Sequence, residues 1–171
     1  MLGRVPAVNT KEGTRMAVKP IPEGYHSVTP YLAVDDAAKA IEYYKAAFGA
    51  TERVRMNGPD GTVGHAEIQI GDSLIMLSDP MPDSSTTAPR ELGGTTSSVF
   101  LYVEDVDAVV QKAVDGGAII KTEVEDQFWG DRFGTIEDPF GHIWSVATHV
   151  EDVSPEEIEE RAKAAMAQAA G

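Results

Sequence analysis

The chain contains 171 residues with a mass of 18.3 kDa, which suits one ordinary domain or two small fused modules and excludes a multidomain machine. Its 14 Lys and Arg residues against 28 Asp and Glu residues give a formal net charge of −14, which repels nucleic acid and anionic membranes. Hydrophobic residues make up 42% of the chain, as in globular proteins, and the absence of cysteine excludes disulfides and Cys-ligated zinc.

The first 24 residues are predicted to form an N-terminal extension. Residues 1–15 contain charges and no apolar run long enough for a signal peptide, and no later segment has the length of a membrane span. Because Met16 begins a more typical protein start, we expect residues 1–15 to be poorly ordered. The pattern predicts a cytoplasmic protein with no membrane partner.

Residues 25–79 form the first predicted module. Apolar and polar residues alternate over 27–34, which predicts a strand, and Asp36 is the expected N-cap of the helix that follows. The apolar face of that helix contains Ala37, Ile41, Tyr44 and Phe48. Tight turns then separate three predicted antiparallel strands, at residues 50–57, 64–70 and 73–78. The order of elements is βαβββ.

Residues 80–96 are rich in Pro, Ser, Thr and Gly, which predicts a solvated linker or mobile loop. The pattern then starts again over residues 97–153, with a strand at 97–103 and a helix whose apolar face contains Val106, Val109, Val110 and Ala113. Three further strands are predicted at residues 118–125, 132–137 and 142–150. The second module is again βαβββ.

The two modules can be superimposed at an offset of 69 residues, which places Val34 on Val103. The same offset places Asp36 on Asp105, so each module begins its helix with the same residue type. The sequence therefore predicts an α+β fold of two paired βαβββ modules.

Residues 154–171 are predicted to form an extra C-terminal helix. Ser154 and Glu157 have the spacing of a capping box, and Pro155 occupies the first helical position. Apolar residues near one face of this helix are Ile158, Ala162, Ala165 and Met166. We expect the helix to pack on the module surface or across a subunit boundary.

The duplicated unit resembles the vicinal oxygen chelate superfamily, which includes glyoxalase I, extradiol dioxygenases and bleomycin-resistance proteins. Five stretches are similar to the PhnB-like branch of this group: HSVTPYLAV (26–34), YYKAAFGA (43–50), GHAEIQIGDSLIMLSD (64–79), FWGDR (128–132) and DPFGHIWSVATHVEDVSPEEI (138–158). The resemblance implies the glyoxalase/bleomycin-resistance fold, in which facing modules enclose a cavity. It also implies a homodimer, often with modules paired across chains.

The resemblance further implies positions for a divalent metal ion, which metal-using members bind through His, Glu or Gln on the first and last strands of each module. Carried across, these positions fall on Thr29, at or next to Met76, on Ser98 and on Ser145. None of these side chains is an imidazole or a carboxylate, the donors that such ions need. We therefore expect no metal ion and no other cofactor.

The alternation of residues along the opening strands separates two faces of each sheet. Val28, Leu32 and Val34 share one face and are expected under the helix, as are Val99, Leu101 and Val103 in the second module. The opposite face carries hydroxyl and aromatic side chains that suit a pocket for an organic ligand, or that fill a small barrel. The predicted ligand-binding residues are Thr29, Tyr31, Met76, Ser98, Phe100, Tyr102, Trp129, Arg132 and Ser145.

His65 and Glu67 alternate onto one face of a predicted strand. They form a hydrogen-bonded surface or pocket pair, an acid/base dyad in which Glu67 orients His65, or part of a different metal cluster with the histidines near strand ends, His26, His142 and His149. Trp129 is expected in a loop between strands, where it contacts ligand beside Arg132. Alternatively, Trp129 packs over the pocket mouth while Asp131 and Arg132 pair with each other.

No nucleophile elbow, phosphate loop or dinucleotide fingerprint occurs in the sequence. The favoured hypothesis is a metal-free protein that binds a drug-like or metabolite ligand in an aromatic-lined cavity and acts as a homodimer. One alternative is an enzyme of the superfamily, of the lyase, isomerase or dioxygenase type, that uses an atypical His65/Glu67 site. Another is an interaction protein that docks through its C-terminal helix.

Overall fold

The computed structural model describes residues 18–81 and 86–169, so the prediction of poor order for residues 1–15 lies outside the described part of the chain. The strands are β1 (Tyr31–Ala33), β2 (Thr51–Asn57), β3 (Val63–Ile70), β4 (Ser73–Ser78), β5 (Ser98–Tyr102), β6 (Ile119–Asp126), β7 (Asp131–Glu137) and β8 (Ile143–His149). The helices are α1 (Ala37–Phe48), α2 (Pro89–Leu92), α3 (Val106–Asp115) and α4 (Pro155–Ala169).

The strands form two four-stranded sheets, ordered β1-β4-β3-β2 and β5-β8-β7-β6. In each sheet the opening strand pairs in parallel with the closing strand, and the remaining pairs are antiparallel. Tyr31 lies opposite Met76 in the first sheet, and Phe100 lies opposite Ser145 in the second, which is the same pair 69 residues later. The predicted α+β fold of two βαβββ modules with a C-terminal helix is confirmed.

Helices α1 and α3 pack against each other and cover one face of each sheet. Tyr43 in α1 donates a hydrogen bond to the carbonyl of Ala113 in α3, at 3.3 Å. The Phe48 ring lies 4.5 Å, centroid to centroid, from the ring of Trp144 in β8. One hydrophobic core therefore contains side chains from both modules, and the face of each sheet that points away from α1 and α3 is here called its open face.

The capping predictions are confirmed at two helices. The side chain of Asp36 accepts a hydrogen bond from the amide of Lys39 at the start of α1, at 3.1 Å. Ser154 accepts one from the amide of Glu157 in the first turn of α4, at 3.2 Å. No helix within the described ranges is both long enough and apolar enough to cross a membrane.

Two features differ from the prediction. β1 is shorter than expected, and Val28, predicted to lie under the helix, is 84% exposed. Pro30 directly precedes β1 and has no amide hydrogen, so the strand ladder does not extend toward Val28. The predicted linker also contains the short helix α2, which begins with Pro89 at its first position, where proline is tolerated.

Candidate functional site

The open face of the first sheet carries a chain of hydrogen-bonded side chains. Tyr25 donates to Glu67 at 2.5 Å, and the His65 Nε2 atom lies 3.3 Å from the second Glu67 oxygen. The hydroxyl of Tyr31 lies 3.2 Å from His65 Nδ1. The hydrogen bond from Tyr25 is the main cause that lowers the pKa of Glu67. The predicted His65/Glu67 pair is thus in contact. Both ring nitrogens of His65 already have partners within the protein, although both distances are long for hydrogen bonds.

The open face of the second sheet carries four aromatic side chains, here called the aromatic layer: Phe100, Tyr102, Trp129 and Phe133. The Phe100 and Phe133 rings stack with centroids 5.8 Å apart, and the Trp129 and Phe133 rings meet edge to face at 6.0 Å. Phe100 is 50% exposed and Tyr102 is 61% exposed, whereas Val99 and Leu101 pack against the core. The layer therefore presents aromatic surface away from the helices.

A buried carboxylate lies beside the aromatic layer. Asp131 is only 4% exposed, and one of its oxygens accepts hydrogen bonds from Tyr102 at 3.0 Å and from Trp129 Nε1 at 3.1 Å. Its other oxygen lies 2.8 Å from His149 Nδ1. On the far side of the imidazole, His149 Nε2 lies 3.0 Å from a carboxylate oxygen of Asp152. This His149–Asp131 pair was not predicted from the sequence.

The contacts of this pair shift both pKa values. Burial alone would raise the pKa of Asp131, but hydrogen bonds from His149, Tyr102 and Trp129 outweigh it, so the pKa is lowered. The hydrogen bonds to Asp131 and then Asp152 raise the pKa of His149 above its ordinary value of 6.5. Two carboxylates on opposite sides of one imidazole therefore favour its protonated form.

The raised pKa of His149 predicts a pH dependence of stability. The charged imidazole stabilises the fold fully below about pH 6.5, its unfolded pKa, and this contribution is lost as the pH rises through the folded pKa. Urea unfolding of the wild type and of His149→Phe across this range should show a difference in the free energy of unfolding that shrinks with pH. An NMR titration that gives His149 a pKa at or below its ordinary value would contradict this account.

Arg132 lies on the opposite face of β7 from Asp131. Its guanidinium contacts Asp107 in α3 at 2.7 Å and Asp126 in β6 at 3.1 Å. The alternative that Asp131 and Arg132 pair locally is therefore wrong, because alternation along a strand sends neighbouring side chains to opposite faces. The predicted ligand site required Trp129 to lie beside Arg132. The structure does not bring these two side chains together.

A cavity of about 670 Å³ lies at the seam between the two modules and is here called the seam cavity. Four of its lining residues are aromatic: Phe48, Phe100, Tyr102 and Trp144. Three predicted ligand-binding residues also line it: Thr29, Phe100 and Tyr102. The others lie outside its lining: Tyr31, Met76, Ser98, Trp129, Arg132 and Ser145, as do His65 and Glu67. The structure thus does not bring the predicted set together at one site.

The positions that hold a divalent ion in metal-using relatives do not fit one here. Met76 and Ser145 offer a thioether and a hydroxyl, and their partners on the opening strands are Tyr31 and Phe100. Thr29 lies before β1 and does not reach the register of Met76. Among the residues that the structure describes, no group of three or more His, Asp or Glu side chains is placed to hold a metal ion. The donor set does not meet the needs of such an ion.

Residues 24–146 match the model of the Glyoxalase/Bleomycin resistance protein/Dioxygenase superfamily. The chain belongs to this superfamily. Its resemblance to the group, predicted from the duplicated unit, is confirmed. A similar relative is the uncharacterized protein Rv0887c of Mycobacterium tuberculosis, strain ATCC 25618 / H37Rv, with 42% identity over 159 residues and 91% of each chain covered.

Solved structures share the superfamily fold. The Arabidopsis thaliana gene product At5g48480 has 29% identity and a TM-score of 0.57, covering 72% of this chain and 98% of that one. The PhnB protein from Bacillus cereus has 19% identity and the same TM-score, covering 72% and 99%. The fosfomycin resistance protein FosX from Listeria monocytogenes, in a complex with Mn(II) and sulfate, has 18% identity and a TM-score of 0.55, covering 80% and 96%.

Proposed function

We propose that this superfamily member binds a small, largely apolar organic molecule in the seam cavity, without a metal ion or other cofactor. The observation that carries the proposal is the cavity itself. Its volume of about 670 Å³ lies within the range of roughly 300–1,000 Å³ that is typical of pockets for drug-sized ligands. Its lining also includes the aliphatic residues Val28, Leu101 and Val109, and a predominantly apolar lining of this kind suits an apolar ligand.

Charge favours a neutral or cationic ligand. The formal net charge of −14 creates a field that disfavours anions. The polar residues that line the seam cavity include Asp72, Glu104 and Asp105, against the single cation Lys112 among the lining residues. A metabolite or drug-like compound with a ring system and no negative charge meets these conditions.

The proposal predicts that filling the seam cavity weakens binding. Ala108, in the first turn of α3, lines the cavity and is exposed, so Ala108→Phe should occupy it without disturbing the core. The neutral fluorescent probe N-phenyl-1-naphthylamine should bind the wild type saturably, and Ala108→Phe should weaken binding by about tenfold or more, equivalent to roughly 1.4 kcal/mol.

Ala164→Phe is the matched control, because Ala164 is an exposed alanine in α4, away from the cavity lining. It should leave the affinity for the probe unchanged. Absence of saturable binding to the wild type, or equal affinity in wild type and Ala108→Phe, would refute the proposal.

We also propose that the protein acts in the cytoplasm as a homodimer. Large apolar side chains exposed on the first sheet include Tyr31 and Met56. Isolated exposed apolar residues are ordinary, but a concentration of them on sheet faces marks an interaction surface. A second copy of the chain would cover this surface. Sedimentation equilibrium of the full chain should give twice the monomer mass, and a monomer at all concentrations would contradict the proposal.

An enzymatic function that uses the His65/Glu67 pair is a second candidate. The specific observation that favours it is the connected set of Tyr25, Glu67, His65 and Tyr31, in which the largely buried Glu67 is held in place by Tyr25. Turnover of a ligand identified by the binding assay, and its loss in Glu67→Gln with ligand affinity retained, would favour this candidate over binding alone.

A further inference from the structure

We propose that His149 is the polar anchor of a ligand site on the open face of the second sheet, and that this site takes a flat aromatic molecule carrying a neutral carbonyl oxygen. The inference deepens the proposed function and rests on it for the apolar, uncharged class of the ligand. Tyr102 links the two, since it is one of the residues that line the seam cavity and its hydroxyl donates to Asp131.

The first step of the argument is the orientation of the imidazole. Asp131 is buried in a fixed position, because two further donors, Tyr102 and Trp129, bind its other oxygen. A carboxylate in contact with Nδ1 holds the hydrogen on that nitrogen and leaves Nε2 as the outward-facing atom. His149 itself is 52% exposed, so a ligand on the open face can reach this nitrogen.

The second step concerns what Nε2 contacts in the free protein. In its protonated form His149 donates from Nε2 to Asp152, whose side chain is fully exposed. An exposed ion pair of this kind contributes at most about 1 kcal/mol, so Asp152 can move away at little cost. A ligand acceptor can therefore replace the Asp152 carboxylate at the same donor.

The third step concerns the surface next to the donor. Asp131 and His149 lie opposite each other in the β7–β8 pair, and the neighbouring pair in the same ladder joins Arg132 to Thr148, then Phe133 to Ala147. The hydroxyl of Tyr102 and the indole nitrogen of Trp129 both donate to Asp131, so these side chains can contact a ligand only through their ring surfaces. A flat aromatic molecule is the partner that such surface prefers.

The last step concerns charge. An anionic ligand would lie close to Asp131 and within the field of a chain of net charge −14, which opposes its binding. A carbonyl oxygen accepts the same hydrogen bond without adding negative charge. The site therefore selects a neutral acceptor.

The test compares two probes of the same shape, 2-acetylnaphthalene and 2-isopropenylnaphthalene, which differ by an oxygen in place of a methylene group. Binding is followed by NMR, with the imidazole nitrogens of His149 observed directly. The wild type should bind the ketone about tenfold more tightly, the worth of one charge-assisted hydrogen bond. The alkene should leave the His149 Nε2 resonance unchanged.

Substitutions change this preference in opposite directions. His149→Phe should bind both probes equally, because the donor is lost while aromatic surface remains. Asp152→Asn removes the competing carboxylate, but it also removes one of the two contacts that raise the pKa of His149. At a pH low enough to keep the imidazole protonated in both proteins, this substitution should raise the affinity for the ketone several-fold, with no change for the alkene. Asp115→Asn is the matched control, since it removes the same charge from an exposed position in α3 and should change neither affinity.

The ketone preference should also fall as the pH rises through the pKa of His149, because the neutral imidazole keeps its hydrogen on Nδ1 and has none on Nε2. The titratable groups that face or adjoin the imidazole are Asp131 from β7, Asp152 after β8, and Tyr102 from β5 through Asp131. Hydrogen bonds hold the pKa of Asp131 below its ordinary value, and the contact with Asp131 raises the pKa of Tyr102, so both pKa values move away from this range.

Equal binding of the two probes by the wild type, or a ketone preference that survives in His149→Phe, would overturn the inference. If neither naphthalene binds while N-phenyl-1-naphthylamine still occupies the seam cavity, the inference fails and the proposed function stands. If N-phenyl-1-naphthylamine does not bind but the ketone preference depends on His149 as described, the seam cavity proposal fails and the anchor is retained.

Discussion

Asp138→Ala should lower the free energy of unfolding by about 4 kcal/mol, because four donors lose their acceptor at once. Asp138 is 3% exposed and begins the turn between β7 and β8. One of its oxygens accepts the hydroxyl of Tyr44 at 2.7 Å and the indole nitrogen of Trp144 at 2.9 Å. The other accepts the amides of Phe140 and His142, both at 2.9 Å.

These contacts explain the size of the effect. Tyr44 in α1 and Trp144 in β8 are both fully buried, so no water can replace the lost carboxylate at their polar atoms. Each buried donor left unsatisfied costs about 1–3 kcal/mol, and the four losses do not add fully. Asp138 is thus the point at which the first helix is tied to the second module.

Asp72→Ala is the matched control for this substitution. Asp72 occupies the corresponding turn between β3 and β4, is exposed, and among the described residues accepts a hydrogen bond only from the hydroxyl of its neighbour Ser73. Its loss should change the free energy of unfolding by about 0.5 kcal/mol or less. Chemical denaturation of both variants at one pH measures the difference, and similar values for the two would show that the Asp138 network contributes nothing special.

Gly130→Ala should destabilise the protein by about 3 kcal/mol and disrupt the His149–Asp131 pair. Gly130 has a φ of +97°, in the left-handed region that favours glycine. Its carbonyl accepts the amides of Val150 and Glu151, so two chain segments meet closely at this residue. A Cβ atom here would overlap the carbonyl oxygen of Glu151, and that backbone would have to move.

The backbone displacement at Gly130 should also move the His149–Asp131 pair, because Asp131 and His149 adjoin the two segments that meet at Gly130. Gly61→Ala provides the control, since Gly61 also has a positive φ, +87°, but a Cβ there meets no atom within 4 Å. Only about 1 kcal/mol of backbone strain should result at Gly61. A Gly130 variant as stable as the Gly61 variant, with an unaltered His149 resonance, would contradict the close approach.

Local sequence patterns were sufficient to predict the elements and the buried face of most strands. Ala66, Ile68 and Ile70 alternate with polar residues along β3, and all three are buried. In β8, Trp144 lies on the face opposite its neighbour Ser145, and Trp144 is fully buried. Such assignments succeed because the side-chain period of a strand is a local property.

The His149–Asp131 pair depends on register, which a single strand does not contain. The turn at residues 138–141 pairs Glu137 with Ile143, and counting outward along both strands reaches Asp131 and His149. That count is a usable signal in the sequence, but the predicted strand begins at residue 132 and so leaves Asp131 outside it. The pairing of β7 with β8, and not a local sequence motif, brings Asp131 and His149 together.

The seam cavity could not be predicted, because it depends on how the two modules pack. It is lined by residues from before β1, from the β3–β4 turn and from β5 and α3, which no periodicity relates to one another. The exposure of Val28 has a local cause, since Pro30 ends the ladder, and could have been anticipated.

The central claim, that an apolar ligand occupies the seam cavity, is tested most directly by intermolecular NOEs between bound N-phenyl-1-naphthylamine and protein methyl groups. The account predicts NOEs to the methyl groups of Val99, Leu101 and Val109, which line the cavity. NOEs confined to methyl groups outside this lining, such as those of Ile119 and Ile120 on the exposed strand β6, would contradict it.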